Sequence, residues 1–126
     1  MTRNPVGWFE MYVQDIERAR EFYGAVLQVG LEKLGDPNDP AMEMRAFPMG
    51  KDFPGAAGAL VKMKDFPSAG NSTLVYFSCA DCAVEAGRVV SAGGRIEHEK
   101  MSIGEYGFIA LAFDTEGNMF GLHSMQ

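Results

Sequence analysis

The chain reads as an α+β fold of two tandem β-α-β-β-β units forming a curved mixed sheet around a cleft, and three observations point there. Trp8-Phe9-Glu10-Met11-Tyr12-Val13-Gln14-Asp15 is echoed by Leu74-Val75-Tyr76-Phe77-Ser78-Cys79-Ala80-Asp81, each an apolar strand ending in an aspartate that opens a helix. Ala57-Gly58-Ala59-Leu60-Val61 and Phe120-Gly121-Leu122-His123-Ser124 agree near the two unit ends, at nearly the same offset. The length, 126 residues, suits one domain over 1–126, with repeat units 6–64 and 72–126 joined by a linker 65–71. Duplicated units that each bury one sheet face leave a cleft between them, so function is sought there.

Taken in order, Trp8 to Val13 has the mixed alternation of a strand. Asp15 caps a helix whose apolar positions Ile16, Ala19, Phe22, Tyr23, Val26 and Leu27 recur at helical spacing, with Gly30 as its stop. A short piece, Leu31 to Leu34, leads into the loop Gly35-Asp36-Pro37-Asn38-Asp39-Pro40. Strands at Met42 to Pro48 and Ala56 to Met63 complete the first unit around a Gly50 to Gly55 turn. The second unit repeats the order: a strand from Thr73 to Cys79, a helix from Asp81 to about Ala92 stopped by Gly93-Gly94, then strands Arg95 to Glu99, Gly107 to Asp114 and Met119 to Met125. Thr115-Glu116-Gly117-Asn118 forms the last hairpin turn.

A net charge of −6 and few clustered cations argue against a nucleic-acid partner. No apolar run approaches the roughly 18 residues of a membrane span, and Met1-Thr2-Arg3-Asn4-Pro5 does not open a secretory signal, so the expectation is a cytoplasmic protein without a membrane partner. Cys79-Ala80-Asp81-Cys82 is formally a C-x-x-C, open to a redox or half-zinc reading, but Cys79 occupies the place of Val13 and fits a small core residue at a strand end. His98, among Glu97, Glu99 and Lys100, fits a solvated stretch.

The paired units, the run Asp15-Ile16-Glu17-Arg18-Ala19-Arg20-Glu21-Phe22-Tyr23 and the turn Asp114-Thr115-Glu116-Gly117-Asn118 resemble the vicinal oxygen chelate superfamily, which includes glyoxalase I, extradiol dioxygenases and bleomycin-resistance proteins. Gly7-Trp8-Phe9-Glu10 with Gly121-Leu122-His123-Ser124 looks like its glyoxalase-like branch. The resemblance implies a homodimer whose units pair within or between chains. It also places the metal ligands of the family's enzymes on the first and last strand of each unit, at Trp8, Gly58, Leu74 and Gly121 of this sequence. None of these side chains offers a lone pair to a metal ion, so neither a metal nor another cofactor is expected.

Residues two apart on a strand share a face, so Glu10 and Tyr12 follow Trp8, and His123 follows Gly121. Tyr76 stands at the repeat position of Glu10, and Leu60 at that of His123. A carboxylate and an imidazole in one pocket are components of proton transfer, which makes Glu10, His123 and Tyr76 the catalytic candidates. Trp8, Tyr12, Phe47, Leu74, Tyr106, Phe108 and Gly121 are the candidate ligand-binding residues, with Trp8 flooring the site. Two functions follow from these residues. One is a protein of the bleomycin-resistance kind, holding a small organic ligand in an acidic, aromatic-lined cleft without the standard metal. The other is a metal-independent lyase or isomerase with Glu10 as base and His123 or Tyr76 as acid, although no Arg or Lys is evident to stabilise an oxyanion. A structural or interaction module is the third possibility.

Overall fold

The computed structural model describes residues 4–35 and 40–126; the loop expected at Gly35 to Pro40 therefore lies mostly outside the described residues. The order is β1 (Trp8–Tyr12), α1 (Ile16–Leu27), β2 (Glu32–Leu34), β3 (Glu43–Ala46), β4 (Ala57–Lys62), β5 (Tyr76–Ser78), α2 (Cys82–Val89), β6 (Arg95–Ser102), a single 3-10 turn (Gly104–Tyr106), β7 (Phe108–Phe113) and β8 (Met119–Ser124). This is the α+β architecture of two β-α-β-β-β units. The strands form two mixed four-stranded sheets, ordered β1-β4-β3-β2 and β5-β8-β7-β6, in which the first strand of each unit runs parallel to the last.

Both helices begin as the aspartates require. Asp15 accepts the Arg18 N–H at 3.1 Å and Asp81 the Ala83 N–H at 3.0 Å, filling donors that a helix N-terminus leaves open. The ends differ from expectation. Gln28, not Gly30, takes the left-handed conformation that stops α1 (φ 56°), and its side-chain amide donates to the Ala25 carbonyl. The regular part of α2 ends at Val89, and the chain then turns through Val90 to Gly94, where Gly93 has φ 105°. β6 runs on to Ser102, past the expected Glu99, through two register shifts opposite β7.

Side-chain alternation separates two surfaces on each sheet. Phe9, Met11 and Val13 turn towards the helices and join a core with Ile16, Phe22, Tyr23 and Val26 of the first unit and Cys82, Val89, Phe120 and Leu122 of the second. Its centre is a set of ring contacts among Phe9, Phe47, Tyr23, Phe77, Phe120 and Phe22, with centroids 5.0–6.1 Å apart. The opposite surface of the first sheet carries a smaller cluster of Met44, Ala59 and Val61, packed by Tyr12. We call this side, away from the helices, the outer face.

The Asp114–Asn118 turn ties the units together. Asp114, buried, accepts the Glu116 and Asn118 N–H groups on one oxygen and the Tyr23 hydroxyl on the other at 2.6 Å. Glu116, whose side chain is 1% exposed, accepts the backbone N–H groups of Gln14 and Asp15 and pairs with Arg18. Asn118 donates to the Tyr12 carbonyl and accepts the Ala69 N–H, which fixes the linker across the end of β1.

Candidate functional site

The outer face of β1 carries three of the expected residues in contact. Trp8 Nε1 donates to one Glu10 oxygen at 3.2 Å, and the Tyr12 hydroxyl donates to the other at 2.7 Å. The period of two along the strand makes this possible, because it stacks positions 8, 10 and 12 on one side. The hydrogen bond to the Glu10 carboxylate, reinforced by partial burial and the negative charge, holds the Tyr12 phenol above its ordinary pKa, so it stays a donor. Tyr12 also stacks on Phe66 of the linker with centroids 4.9 Å apart, and Trp8 is 39% exposed. The result is an exposed carboxylate oriented by two aromatic donors and flanked by aromatic rings.

A second group lies on the other sheet. Tyr76 is 45% exposed and pairs across from Gly121, where a Cβ would overlap the tyrosine ring. His123 is one place further along the same face, its Nε2 2.7 Å from the Tyr106 carbonyl. Tyr106 itself stands in the turn before β7, largely exposed. No hydrogen bond joins Glu10 to His123 among the described residues.

Three expected ligand residues lie elsewhere. Phe47 is buried in the ring cluster among Phe9, Tyr23 and Phe77, so its bulk belongs to the core. Phe108 packs against the same core, with the Lys100 ammonium 4.7 Å from its ring centroid. Leu74 precedes β5 rather than belonging to it and lines a shallow concavity with Phe113, Met119 and residues 70–73. Neither Glu10 nor His123 lines that concavity, nor the two beside Phe47 and Met44.

The strand register also corrects the repeat alignment. Glu10 pairs with Ala59 and Tyr76 with Gly121, so Gly121 corresponds to Ala59 rather than Gly58, and His123 to Val61 rather than Leu60. Gly58 instead accommodates the Phe9 ring on the helix side. The metal positions implied by the resemblance thus become Trp8, Ala59, Leu74 and Gly121, and they do not fit a metal ion: three carry no lone-pair donor, and the Trp8 indole nitrogen can only donate. Among the described residues no three His, Cys, Asp or Glu side chains converge as a metal ion would require.

Burial, with the neighbouring Glu85 carboxylate, pushes the Cys79 thiol up to about 12, so it is not a thiolate near neutrality. Cys79 packs against the core, as its place in the repeat suggests, and Cys82 lies within it. His98 is exposed, its Nδ1 against the Glu99 carbonyl. Sequence reasoning placed Trp8, Glu10 and Tyr12 on one face but missed that the aromatics hydrogen-bond to the carboxylate. The spacing of two was the available signal. That Phe66 of the linker is the ring stacked on Tyr12 is marked by no local pattern.

Residues 6–31 match the bleomycin resistance protein-like N-terminal family. Among solved structures, glyoxalase I from Zea mays is similar at 20% identity and TM-score 0.75, over 96% of this chain and 47% of that one, so the present chain spans about half its length. A glyoxalase/bleomycin resistance protein/dioxygenase family enzyme from Burkholderia phytofirmans PsJN matches at 14% identity and TM-score 0.71, covering 95% of this chain and 98% of that one. TnmS3, an antibiotic binding protein from Streptomyces sp. CB03234, matches at 24% identity and TM-score 0.65, over 98% of both chains. No curated protein sequence matches. The chain has the vicinal oxygen chelate fold of the glyoxalase, bleomycin-resistance and dioxygenase proteins. No helix among the described residues is long and apolar enough to cross a membrane.

Proposed function

We propose that this protein binds a small planar organic cation on the outer face of its first sheet, at Trp8, Glu10 and Tyr12, without the metal of its enzymatic relatives. The observation that carries this reading is the Glu10 carboxylate held by Trp8 Nε1 and the Tyr12 hydroxyl. Each oxygen keeps a lone pair for a cation, while the aromatic faces beside it supply stacking and cation–π attraction. The net charge of −6 favours the approach of a cation. The resemblance to an antibiotic binding protein over nearly the whole chain supports binding as the activity.

The lyase or isomerase reading is less favoured by the same geometry. His123, which would supply the acid, is engaged with the Tyr106 carbonyl, and no hydrogen bond joins it to Glu10 among the described residues. We take the protein as a homodimer in the cytoplasm, as the resemblance to the glyoxalase and bleomycin-resistance proteins implies. Light scattering on the purified protein checks the dimer.

Trp8 is the only tryptophan, so its emission reports on the site. Titration with proflavine and with bleomycin is expected to quench it saturably, and Glu10→Gln, which removes the charge but keeps the shape, to weaken proflavine about five- to tenfold. Saturable quenching unchanged by Glu10→Gln, or none at all, refutes the reading.

A further inference from the structure

Two exposed tyrosines neighbour His123 on the second sheet, Tyr76 by its place diagonally across the strands and Tyr106 through its backbone carbonyl. Tyr76 lies over Gly121, and Tyr106, 68% exposed, has no hydrogen-bond or ring partner for its side chain among the described residues. Yet the backbone that carries Tyr106 is fixed. Ile103 N–H donates to the Gly107 carbonyl at 2.8 Å, Gly107 N–H to that of Gly104 at 3.2 Å, and His123 reaches the Tyr106 carbonyl itself at 2.7 Å. Gly104 and Gly107 have φ of 74° and 101°, where other residues are strained, and a Cβ on Gly107 would overlap the Ser124 carbonyl. A rigid turn that presents an unpartnered tyrosine offers contact area at little conformational cost, which suits recognition better than packing.

The tautomer of His123 follows from its partner. A carbonyl oxygen only accepts, so Nε2 carries a proton, and in the neutral form of the ring Nδ1 keeps its lone pair. His123 follows Gly121 by two on β8 and therefore sits diagonally beside Tyr76, with Ile109 of β7 as its cross-strand neighbour.

We propose that Tyr76, His123 and Tyr106 form a second subsite, which takes an uncharged planar ring bearing an N–H or O–H donor. The tyrosines supply the faces, Nδ1 accepts the donor, and His123 is also the positioning residue that holds Tyr106 in place. The inference rests on the outer face being the ligand face. It extends that face from a site for positive charge to one that also selects a neutral donor-bearing ring.

The test uses benzimidazole, neutral above pH 7 with one ring N–H, against 1-methylbenzimidazole, which lacks it. Long-range proton–nitrogen NMR of the histidine rings, with His123 assigned by its loss in His123→Gln, is expected to show the Nε2–H form before addition and a shifted Nδ1 signal with benzimidazole. The methylated probe should bind about five- to tenfold more weakly. Tyr106→Ala should cost about fivefold and Tyr106→Phe nothing. His123→Gln, whose amide can still donate to the Tyr106 carbonyl, should retain more affinity than His123→Ala. Equal binding of the two probes, an Nδ1–H form in the free protein, or benzimidazole that moves Trp8 emission but no His123 signal overturns the second subsite. Failure of Glu10→Gln to alter proflavine binding refutes the first-sheet reading instead, and the His123 signals report independently of it.

Discussion

Replacing Tyr23 by phenylalanine deletes one oxygen from the buried joint between the two units. The Tyr23 hydroxyl donates to one Asp114 oxygen at 2.6 Å, while the other oxygen accepts two backbone N–H groups. Phenylalanine fills the same volume, so no cavity term enters, and the cost is that of a buried carboxylate oxygen left without its donor, about 2–3 kcal/mol. With an unfolding entropy of about 2.1 cal/mol/K per residue, each kcal/mol is worth about 4 °C in this chain, so Tm should fall by about 8–12 °C. The pH dependence sharpens the test. Burial raises the Asp114 pKa above 3.8 despite the hydrogen bonds that lower it. A group with a raised folded-state pKa contributes stability that is present below its unfolded value and lost as pH rises through the folded one. Removing the Tyr23 donor raises that pKa further, so the deficit of Tyr23→Phe should shrink between pH 7.5 and pH 4. Calorimetric melts at the two pH values, with Asp114→Asn and the double variant to give the coupling, measure it. A loss below about 2 °C, or one that does not change with pH, would refute the assignment of Tyr23 and Asp114 as a charge-assisted pair.

The other expected outcomes are quickly stated. Glu116→Ala removes the acceptor for the Gln14 and Asp15 N–H groups and for Arg18 and should cost about 2 kcal/mol in a denaturant melt, discounted because Arg18 is half exposed. Burial pushes the Glu116 pKa up, but Arg18 and the two backbone donors outweigh it and leave the value below 4.5. Its contribution is therefore present above about pH 4.5 and lost as pH falls below that, so the variant should lose less on acidification than the parent. Gly121→Ala pushes the Tyr76 ring off β8; since that ring can swing into solvent, thermal melts should show about 1 kcal/mol lost. Gly30→Ala should change Tm by less than about 2 °C, because nothing stands within 4 Å of the added Cβ and α1 is already stopped at Gln28.

Short-range chemistry was legible in the residues. Asp15 and Asp81 cap helices because an aspartate before an apolar 3.6-residue pattern has backbone donors to fill, and both do. The face shared by Trp8, Glu10 and Tyr12 followed from the period of two, as did the core positions of α1. Helix ends were less legible: Gly30 looked like the stop, but Gln28 adopts the left-handed turn, since a modest backbone penalty is easily outweighed by where Leu31 must enter the core.

What the amino-acid order alone determined was the pair of β-α-β-β-β units, their caps and the face that Trp8, Glu10 and Tyr12 share. Only the tertiary structure decided the offset between strands and the fate of each aromatic. Matching Gly58 with Gly121 was off by one place, and one place exchanges the helix side of a sheet for the outer face. Phe47 and Trp8 are both large aromatics, yet one joins the ring cluster and the other stays partly in water. Asp114, Glu116 and Asn118 bind residues about a hundred positions away. These outcomes depend on which side chains compete for one shared core and which partners the packed sheets bring within reach, and such long-range pairings leave no periodic trace along the chain.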